Sequence, residues 1–334
     1  MSIRIGLISF WHVHAWDYTK QAQEHEDTII TGVWDEDPER GQQAADRLNV
    51  AFYDSLDDML GQQDIDAVIV DAPTNIHREV MVAAAKAGKH IFTEKVIAAT
   101  LEEVNEIISA VSDNGVKLTV SLPRLNEGYT LSIQEILHQS LLGKITYVRV
   151  RLSHNGAIAN WLPEHFYSLK QCMGGALIDL GCHPMYLTKL FLGQDVTGVS
   201  ANLGYVTGRE VEDNAVVTLF TDSGAIGVVE AGFVNSHSPF TIEVHGVDGT
   251  LLYGAPEEKL LLRSNSTSDT SNTWIEVPIR ENHVSAFHQW ISHIKNNTLA
   301  VENVQRAVEL TRLMEAANQS AHEGRVIRLT ELSS

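Results

Sequence analysis

His90-Ile91-Phe92-Thr93-Glu94-Lys95-Val96 reads as a buried strand, apolar from its start, that stops abruptly at a carboxylate and an amine. A helix-like run, His77 to Gly88, precedes it, with Val80, Met81 and Ala84 at helical spacing. A second helical run, with Leu101, Val104, Ile107, Ile108 and Val111 on one face, follows. A short strand between two helices is the repeating unit of a parallel sheet. Working outward, the unit recurs. Strand-like runs lie at Ile3 to Phe10, Thr28 to Trp34, Ala51 to Tyr53, Ala67 to Val70 and Lys117 to Ser121. Helical stretches separate them: His14 to His25, Pro38 to about Leu48, and Leu56 to Leu60 behind the capping Ser55. Six strands alternating with helices through short loops predict a Rossmann-like, doubly wound parallel sheet over residues 1–122. Ligands sit at the carboxyl ends of such strands, which places Glu94 and Lys95 for function.

Beyond residue 123 the texture changes. One helix carries Ile133, Ile136, Leu137 and Leu141, and it leads through Gly143 into Val148-Arg149-Val150-Arg151-Leu152, whose strict alternation marks a strand with one wet face. Further strand-like runs lie at Val196 to Leu203, Ala215 to Phe220, Ala225 to Ala231, Thr241 to Gly246, Thr250 to Tyr253, Lys259 to Leu262 and Trp274 to Ile279. Turns such as Asp222-Ser223-Gly224 and Val247-Asp248-Gly249 join them as antiparallel hairpins. Residues 123–334 are therefore expected to form an α+β domain with a broad, mostly antiparallel sheet. Ser264 to Thr273 reads as a polar surface loop. Two late helices, His283 to Lys295 and Glu302 to Glu323, close the chain, the last one expected to pack back on the N-terminal half.

The 334 residues are enough for two domains that each bury a real core. Apolar residues make up 44% and charged residues 20%, an ordinary globular composition. Lys and Arg number 24 against 43 Asp and Glu, a net charge of −19, and that sign argues against a nucleic-acid partner. Two cysteines, Cys172 and Cys182, are too few for a disulfide framework. No apolar run approaches the roughly 20 residues that cross a bilayer, and Met1-Ser2-Ile3-Arg4 lacks a signal-peptide pattern. A cytoplasmic location, without a membrane partner, is the expectation.

A dinucleotide-binding unit normally carries G-x-G-x-x-G after its first strand, because small residues let the backbone approach the pyrophosphate. Here the corresponding positions read Ser9-Phe10-Trp11-His12-Val13-His14, without any of the three glycines. Asp35 closes the second strand where an acid can accept from both ribose hydroxyls, and with Glu36 and Asp37 adjacent a 2′-phosphate is repelled, which favours NAD. Asp35 can also cap the helix that starts at Pro38. Asp71-Ala72-Pro73-Thr74-Asn75-Ile76-His77 ends the fourth strand near the nicotinamide half, where Pro73 stiffens the turn and Asn75 suits a helix cap.

The order Pro73-x-x-x-His77, Ala87-Gly88-Lys89-His90, Glu94-Lys95 and Gly174-Gly175-Ala176-Leu177-Ile178-Asp179-Leu180-Gly181-Cys182-His183 resembles the glucose-fructose oxidoreductase, inositol dehydrogenase and rhizopine-catabolism (Gfo/Idh/MocA) family. The resemblance extends over almost the whole chain. It implies nicotinamide-linked oxidation or reduction of sugars, polyols or inositols, and an open C-terminal sheet through which members assemble as homodimers or homotetramers. The family's Glu-Lys-Pro motif falls on Glu94-Lys95-Val96 and its Asp-x-x-x-His pair on Asp179 and His183. Three departures stand out: the glycine-poor loop, Val96 in place of proline, and Tyr186 where an acidic residue often follows the histidine by three places.

Asp179 and His183 lie four apart, on one face if the segment is helical. Oxidising a secondary alcohol requires removal of the hydroxyl proton as hydride leaves, which suits an imidazole, so His183 is expected to be the acid/base, oriented by Asp179. Lys95 would stabilise a developing alkoxide or polarise a carbonyl. The cofactor set is then Ser9, Phe10, Trp11, His12, Asp35, Ala72, Pro73, Asn75, His77, Glu94 and Lys95, and the amine of Lys95 and the imidazole of His183 are expected to act on one nicotinamide ring. Substrate contacts are expected from Arg124, Trp161, His165, Asp179 and His183, Trp161 by stacking on a sugar ring. His12-x-His14 lacks a second nearby pair of ligands, so no metal site is expected. Two other readings compete: a non-catalytic sugar or nucleotide sensor, motivated by the lost glycines, and an enzyme that oxidises a sugar only transiently for epimerisation or elimination.

Overall fold

The alternation in the first third of the chain folds as six parallel strands, in a computed structural model that describes residues 2–266 and 273–332. In chain order, β1 (Ile3–Ile8), α1 (Ala15–Glu24), β2 (Thr28–Trp34), α2 (Pro38–Leu48), β3 (Ala51–Phe52), α3 (Leu56–Leu60), β4 (Ala67–Val70), α4 (His77–Lys86), β5 (His90–Thr93), α5 (Leu101–Asp113) and β6 (Leu118–Val120) build this layer. The strand order is β3-β2-β1-β4-β5-β6, the doubly wound order whose reversal lies between β1 and β4. Local chemistry sets the helix starts. Asp37 accepts from the Glu39 and Arg40 N–H groups with Pro38 at the first position of α2; Ser55 and Thr100 cap α3 and α5. Asn75 caps nothing, contrary to expectation, because a 3₁₀ turn over Thr74–Ile76 intervenes and moves the start of α4 to His77.

The second half continues with α6 (Gly128–His138), β7 (Ile145–Ser153), α7 (Gly156–Ala159), α8 (Leu169–Cys172), α9 (Ala176–Asp179) and α10 (Cys182–Leu192). The strands β8 (Val196–Gly204), β9 (Asn214–Thr221), β10 (Ile226–Gly232), β11 (Thr241–Gly246), β12 (Gly249–Tyr253), β13 (Leu260–Ser264) and β14 (Ile275–Val277) follow, then α11 (Ala286–Lys295), α12 (Val301–Glu323) and β15 (Ile327–Arg328). Their nine-stranded sheet runs β14-β13-β12-β11-β7-β10-β9-β8-β15 and is antiparallel except where β7 meets β10. Part of the loop expected at Ser264 to Thr273 lies outside the described residues, and Ser264 itself ends β13, buried.

The described residues divide into two compact units, 2–122 with Val284–Thr311, and Pro123–His283 with 312–332. In the first, Ile5, Leu7, Val33, Ile69 and Phe92 pack with Phe287, Trp290 and Ile291 of α11. Phe92 meets Tyr18, Phe287 and Trp290 at ring distances of 5.1, 5.7 and 5.6 Å. Burying such a side chain contributes about 1.5–3 kcal/mol, enough to hold the end of β5 in place. In the second unit, α10 lies against β7 and β10. Val148 and Val150 point inward, while Arg149 between them bridges Glu230 (2.7 Å) and Glu243 (2.9 Å) on the neighbouring strands.

Candidate functional site

β1 ends at Ile8, two residues short of the expected limit, because Ser9 adopts φ = 71°, the left-handed conformation in which glycine is at home. Its Oγ accepts the Trp11 N–H at 3.1 Å, and the His12 N–H reaches the Asp71 carbonyl at 3.1 Å. A serine thus makes the sharp turn without glycine, with its own hydroxyl closing the loop. The Phe10 and Trp11 side chains are buried beside it, and the His12 and His14 rings lie 5.2 Å apart.

At the end of β2, Asp35 is enclosed. Its Oδ2 accepts from Phe10 N–H (2.8 Å) and Arg40 Nε (2.9 Å), and its Oδ1 from Asp37 N–H (2.8 Å) and Arg40 Nη2 (2.6 Å). Four donors saturate the carboxylate, whose side chain is 0% exposed, so it anchors Arg40 and the preceding loop rather than presenting lone pairs to a ribose. The cap of α2 is Asp37, not Asp35. Arg40 also reaches Glu36 Oε1 at 2.5 Å. Glu36 Oε2 is buried and has no hydrogen-bond partner among the described residues, and burial together with Asp35 raises the Glu36 pKa.

The ends of β4, β5 and β6 meet in a buried knot of titratable groups. The Tyr18 hydroxyl donates to Glu94 Oε2 and lies 2.6 Å from Ser121 Oγ. Lys95 Nζ stands 3.6 Å from Glu94 Oε1, and both side chains are almost fully buried. Burial alone pushes the Glu94 carboxyl up, but His12, Lys95, His14 and the Tyr18 hydroxyl together outweigh it and hold the group below its usual range. Asp71 moves the other way: burial, then Glu94 and Asp17, push its carboxyl well above the usual range. The two acids are thus shifted in opposite directions, Glu94 toward its ionised form beside an ammonium and Asp71 toward its protonated form. Among the described residues, Asp71 Oδ1 and Asn75 Oδ1 are buried without hydrogen-bond partners.

His77, expected among the cofactor contacts, is buried with Nε2 at 2.9 Å from the Ala72 carbonyl and Nδ1 at 3.0 Å from that of Val96. It fastens the turn after β4 to the segment after Lys95, so it positions both. The Lys95–Val96 peptide is cis.

In the second unit the expected Asp179–His183 helical pair is split. Helix α9 stops at Asp179 and α10 starts at Cys182, because Pro184 has no N–H to continue the ladder and is tolerated only in a first turn. Asp179 is half-buried and close enough to His154 to raise its pKa against the burial that lowers it. His183 is buried, and its Nδ1 lies 2.9 Å from the Tyr186 hydroxyl, which also accepts the Arg124 N–H at 3.2 Å. Glu212, buried, accepts the N–H groups of Gly175 and Leu177 at 2.9 Å each, and a Cβ on Gly175 would stand 2.1 Å from the Glu212 carbonyl oxygen. That close approach is why the Gly174-Gly175 step precedes the site.

Arg124, expected to contact substrate, has its guanidinium over the Phe240 ring at 4.3 Å and bonded to the Tyr129 hydroxyl at 3.1 Å. Trp161 donates its indole N–H to Asn155 and tilts against His154, yet remains 55% exposed. His165 sits in a short 3₁₀ turn, its carbonyl accepting from Cys172 Sγ. Both cysteines are free. No group of three or more His, Cys, Asp or Glu that could hold a metal occurs among the described residues. Sequence reasoning missed Tyr18, Ser121, Arg40 and Glu212; only Glu212-Asp213, an acid pair before an apolar run, carried any local signal.

The pattern described as "Oxidoreductase family, NAD-binding Rossmann fold" matches residues 5–122, and the GFO/IDH/MocA C-terminal domain matches residues 130–252. The chain is similar to a myo-inositol 2-dehydrogenase of Thermotoga maritima, 23% identical over 99% of both chains. It is also similar to a 1,5-anhydro-D-fructose reductase of Ensifer adhaerens, 28% identical over 59% of this chain and 60% of that protein. Among solved structures, a levoglucosan dehydrogenase in complex with NADH and levoglucosan shares the fold with a TM-score of 0.83, at 19% identity over 98% of this chain and 100% of that one. The two matched patterns together span most of both units, and the chain belongs to the Gfo/Idh/MocA family of oxidoreductases.

Proposed function

We propose that the chain transfers hydride between NAD and a secondary alcohol or carbonyl of a sugar, polyol or inositol, with Lys95, Asp179 and His183 at the reacting groups. The observation that carries this reading is the buried Glu94–Lys95 pair, a carboxylate holding one cation in a dry place, beside Asp71, whose carboxyl is pushed toward its protonated form. Such an ammonium can offset negative charge as it develops on a substrate oxygen. Three buried acceptors that lack hydrogen-bond partners among the described residues, Glu36 Oε2, Asp71 Oδ1 and Asn75 Oδ1, lie at the carboxyl ends of β2 and β4. Ribose hydroxyls and a carboxamide NH₂ are donors of the kind they lack, so the residues present fit a nicotinamide dinucleotide. Glu36 takes the ribose-accepting part first expected of Asp35, which with Arg40 shapes the surrounding wall. Arg40 is shared by two carboxylates, so the local charge stays negative and disfavours a 2′-phosphate. When bound, NAD supplies the hydride acceptor. The chain's residues bind it, exclude water and hold the proton. Trp161, with its exposed indole, is the substrate-facing aromatic in this reading.

In the same reading the protein works in the cytoplasm as a homodimer or homotetramer through the C-terminal sheet. Exposed Val216 on β9, opposite the inward Ala215 and Val217, supports that surface as an interface. The test is NAD titration with tryptophan fluorescence as the readout, since Trp11 belongs to the Ser9 turn, followed by turnover with myo-inositol, 1,5-anhydro-D-fructose and levoglucosan. Quenching by NAD but not NADP, with turnover on one of the three, is expected. No NAD binding would overturn the proposal.

A further inference from the structure

We infer that Tyr186 fixes His183 as the neutral imidazole protonated on Nε2, so that His183 meets the substrate oxygen as a hydrogen-bond donor and the proton that accompanies hydride transfer is carried by another group. Tyr186 is a positioning residue in this account, and it stands where a carboxylate is often found in the family. The carboxylate would impose the opposite polarity on the ring.

Tyr186 is buried, 4% exposed. Its oxygen accepts the Arg124 N–H at 3.2 Å, and it has one proton to give. Among the described residues its remaining hydrogen-bond partner is His183 Nδ1, at 2.9 Å. If Nδ1 carried a hydrogen, the phenol proton would be buried without an acceptor, and a buried unsatisfied donor is strongly disfavoured. Nδ1 therefore accepts, and a neutral ring with a bare Nδ1 carries its hydrogen on Nε2. The imidazolium has hydrogens on both nitrogens and meets the same conflict, so the phenol also opposes charging of the ring. Burial pushes the Tyr186 pKa well above its ordinary value, which closes the escape through phenolate. The titratable groups around the pair within this unit are Cys182 on the same helix, Asp179 on the helix before it, and Arg124 and Tyr129 facing it. Cys182 Sγ already donates to the Asp179 carbonyl at 3.0 Å.

The consequence for the reaction deepens the proposed function and rests on it. In the reducing direction the carbonyl carbon would receive the hydride that NADH supplies when bound, NADH becoming NAD⁺; the C=O π pair moves to oxygen, and that oxygen takes a proton from an ammonium, which becomes an amine and regains its proton from solvent. Lys95 is the ammonium in that reading. The Nε2–H stays on His183 and stabilises the developing negative charge. A neutral histidine acting as an electrophile in this way is a known device.

The tautomer is readable without any turnover. Long-range ¹H–¹⁵N correlation spectra of the full chain labelled with ¹⁵N-histidine, with His183 assigned by the signals lost in His183→Gln, report which ring nitrogen is protonated. At neutral pH the wild type is expected to show an Nε2-protonated His183. Tyr186→Phe should give a mixture of tautomers, and Tyr186→Asp should give the Nδ1-protonated form. An Nδ1-protonated or doubly protonated ring in the wild type would overturn the inference, as would a wild-type pattern surviving unchanged in both variants. Should the variants fail to fold, the wild-type spectrum decides alone. A protonated Nε2 in an enzyme inactive on the polyol panel would refute the proposed function and leave the tautomer assignment standing.

Discussion

The ends of β4 to β6 and the start of α10 both hold candidate reacting groups, yet they control protons by opposite means. Around Lys95 the side chains are titratable and buried: Glu94 accepts from Tyr18 and faces the ammonium, while the Asp71 carboxyl is pushed well above its usual range. At His183 the hydrogen bond to Nδ1 runs through neutral groups: the Tyr186 phenol faces Nδ1 and accepts the backbone N–H of Arg124. A carboxylate cluster sets a charge state, because in a poorly solvated volume the number of protons present dominates the energy. A chain of neutral hydrogen bonds sets a direction, because each donor must find its acceptor. One region is suited to moving a proton and the other to aiming one.

The largest break in that contrast comes from Lys95→Met. Removing the ammonium should lower kcat by about 10²–10⁴-fold, the range of a lost proton-transfer group. A loss below tenfold, measured with whichever panel substrate turns over, would move proton transfer away from this region. Next, His183→Ala should lower kcat by about 10²–10³-fold, as for a lost oxyanion donor, whereas His183→Gln, which keeps an N–H near the Nε2 position, should stay within about tenfold of wild type. Equal losses in both variants would mean that His183 carries the proton after all.

Stability separates the two acids. Glu94→Ala removes the carboxylate that faces the buried Lys95 ammonium and should cost about 3–5 kcal/mol in urea unfolding. For Asp71 the folded-state pKa is raised, so the native chain holds a proton that the unfolded chain releases above about pH 4. Its contribution to stability is fully present below that pH and is lost as pH rises through the folded pKa. Asp71→Asn should therefore flatten the fall of urea midpoint with rising pH over that window, and an unchanged slope would show that Asp71 is ionised in the native state. The smallest effect is expected from Trp161→Ala. The indole is 55% exposed, so unfolding should shift by no more than about 0.5 kcal/mol while KM rises. A stability loss well beyond that, with KM unchanged, would make Trp161 a packing residue and remove it from the site.

Much of the fold was legible in the residues. Apolar runs separated by helical periodicity located the six parallel strands within two residues, and the turn at Asp222-Ser223-Gly224 did join two antiparallel strands. The β7–β10 pairing was hidden, because the two strands are separated in sequence by β8 and β9 and meet in parallel. Strand β15 is two residues long, too short to show any period. At the candidate site, Lys95 and His183 were singled out from their neighbours, but the enclosure of Asp35 could not be read. The arginine that fills its lone pairs lies five residues away on the next helix, and only the turn between them brings the two together. The break between Asp179 and His183 was encoded locally by Pro184 and is a matter of backbone chemistry.

What the amino-acid order determined by itself is the succession of elements and the capping of α3 by Ser55, because these depend on neighbours within a few residues. The tertiary structure alone decided the opposite pKa shifts of Glu94 and Asp71 and the hydrogen-bond network around the Tyr186 phenol that faces His183 Nδ1. Those outcomes turn on contacts spanning 76 residues for Tyr18 and Glu94 and 62 for Arg124 and Tyr186. Burial removes water as the alternative partner, so each buried donor, acceptor and charge takes its state from whatever the fold has placed beside it.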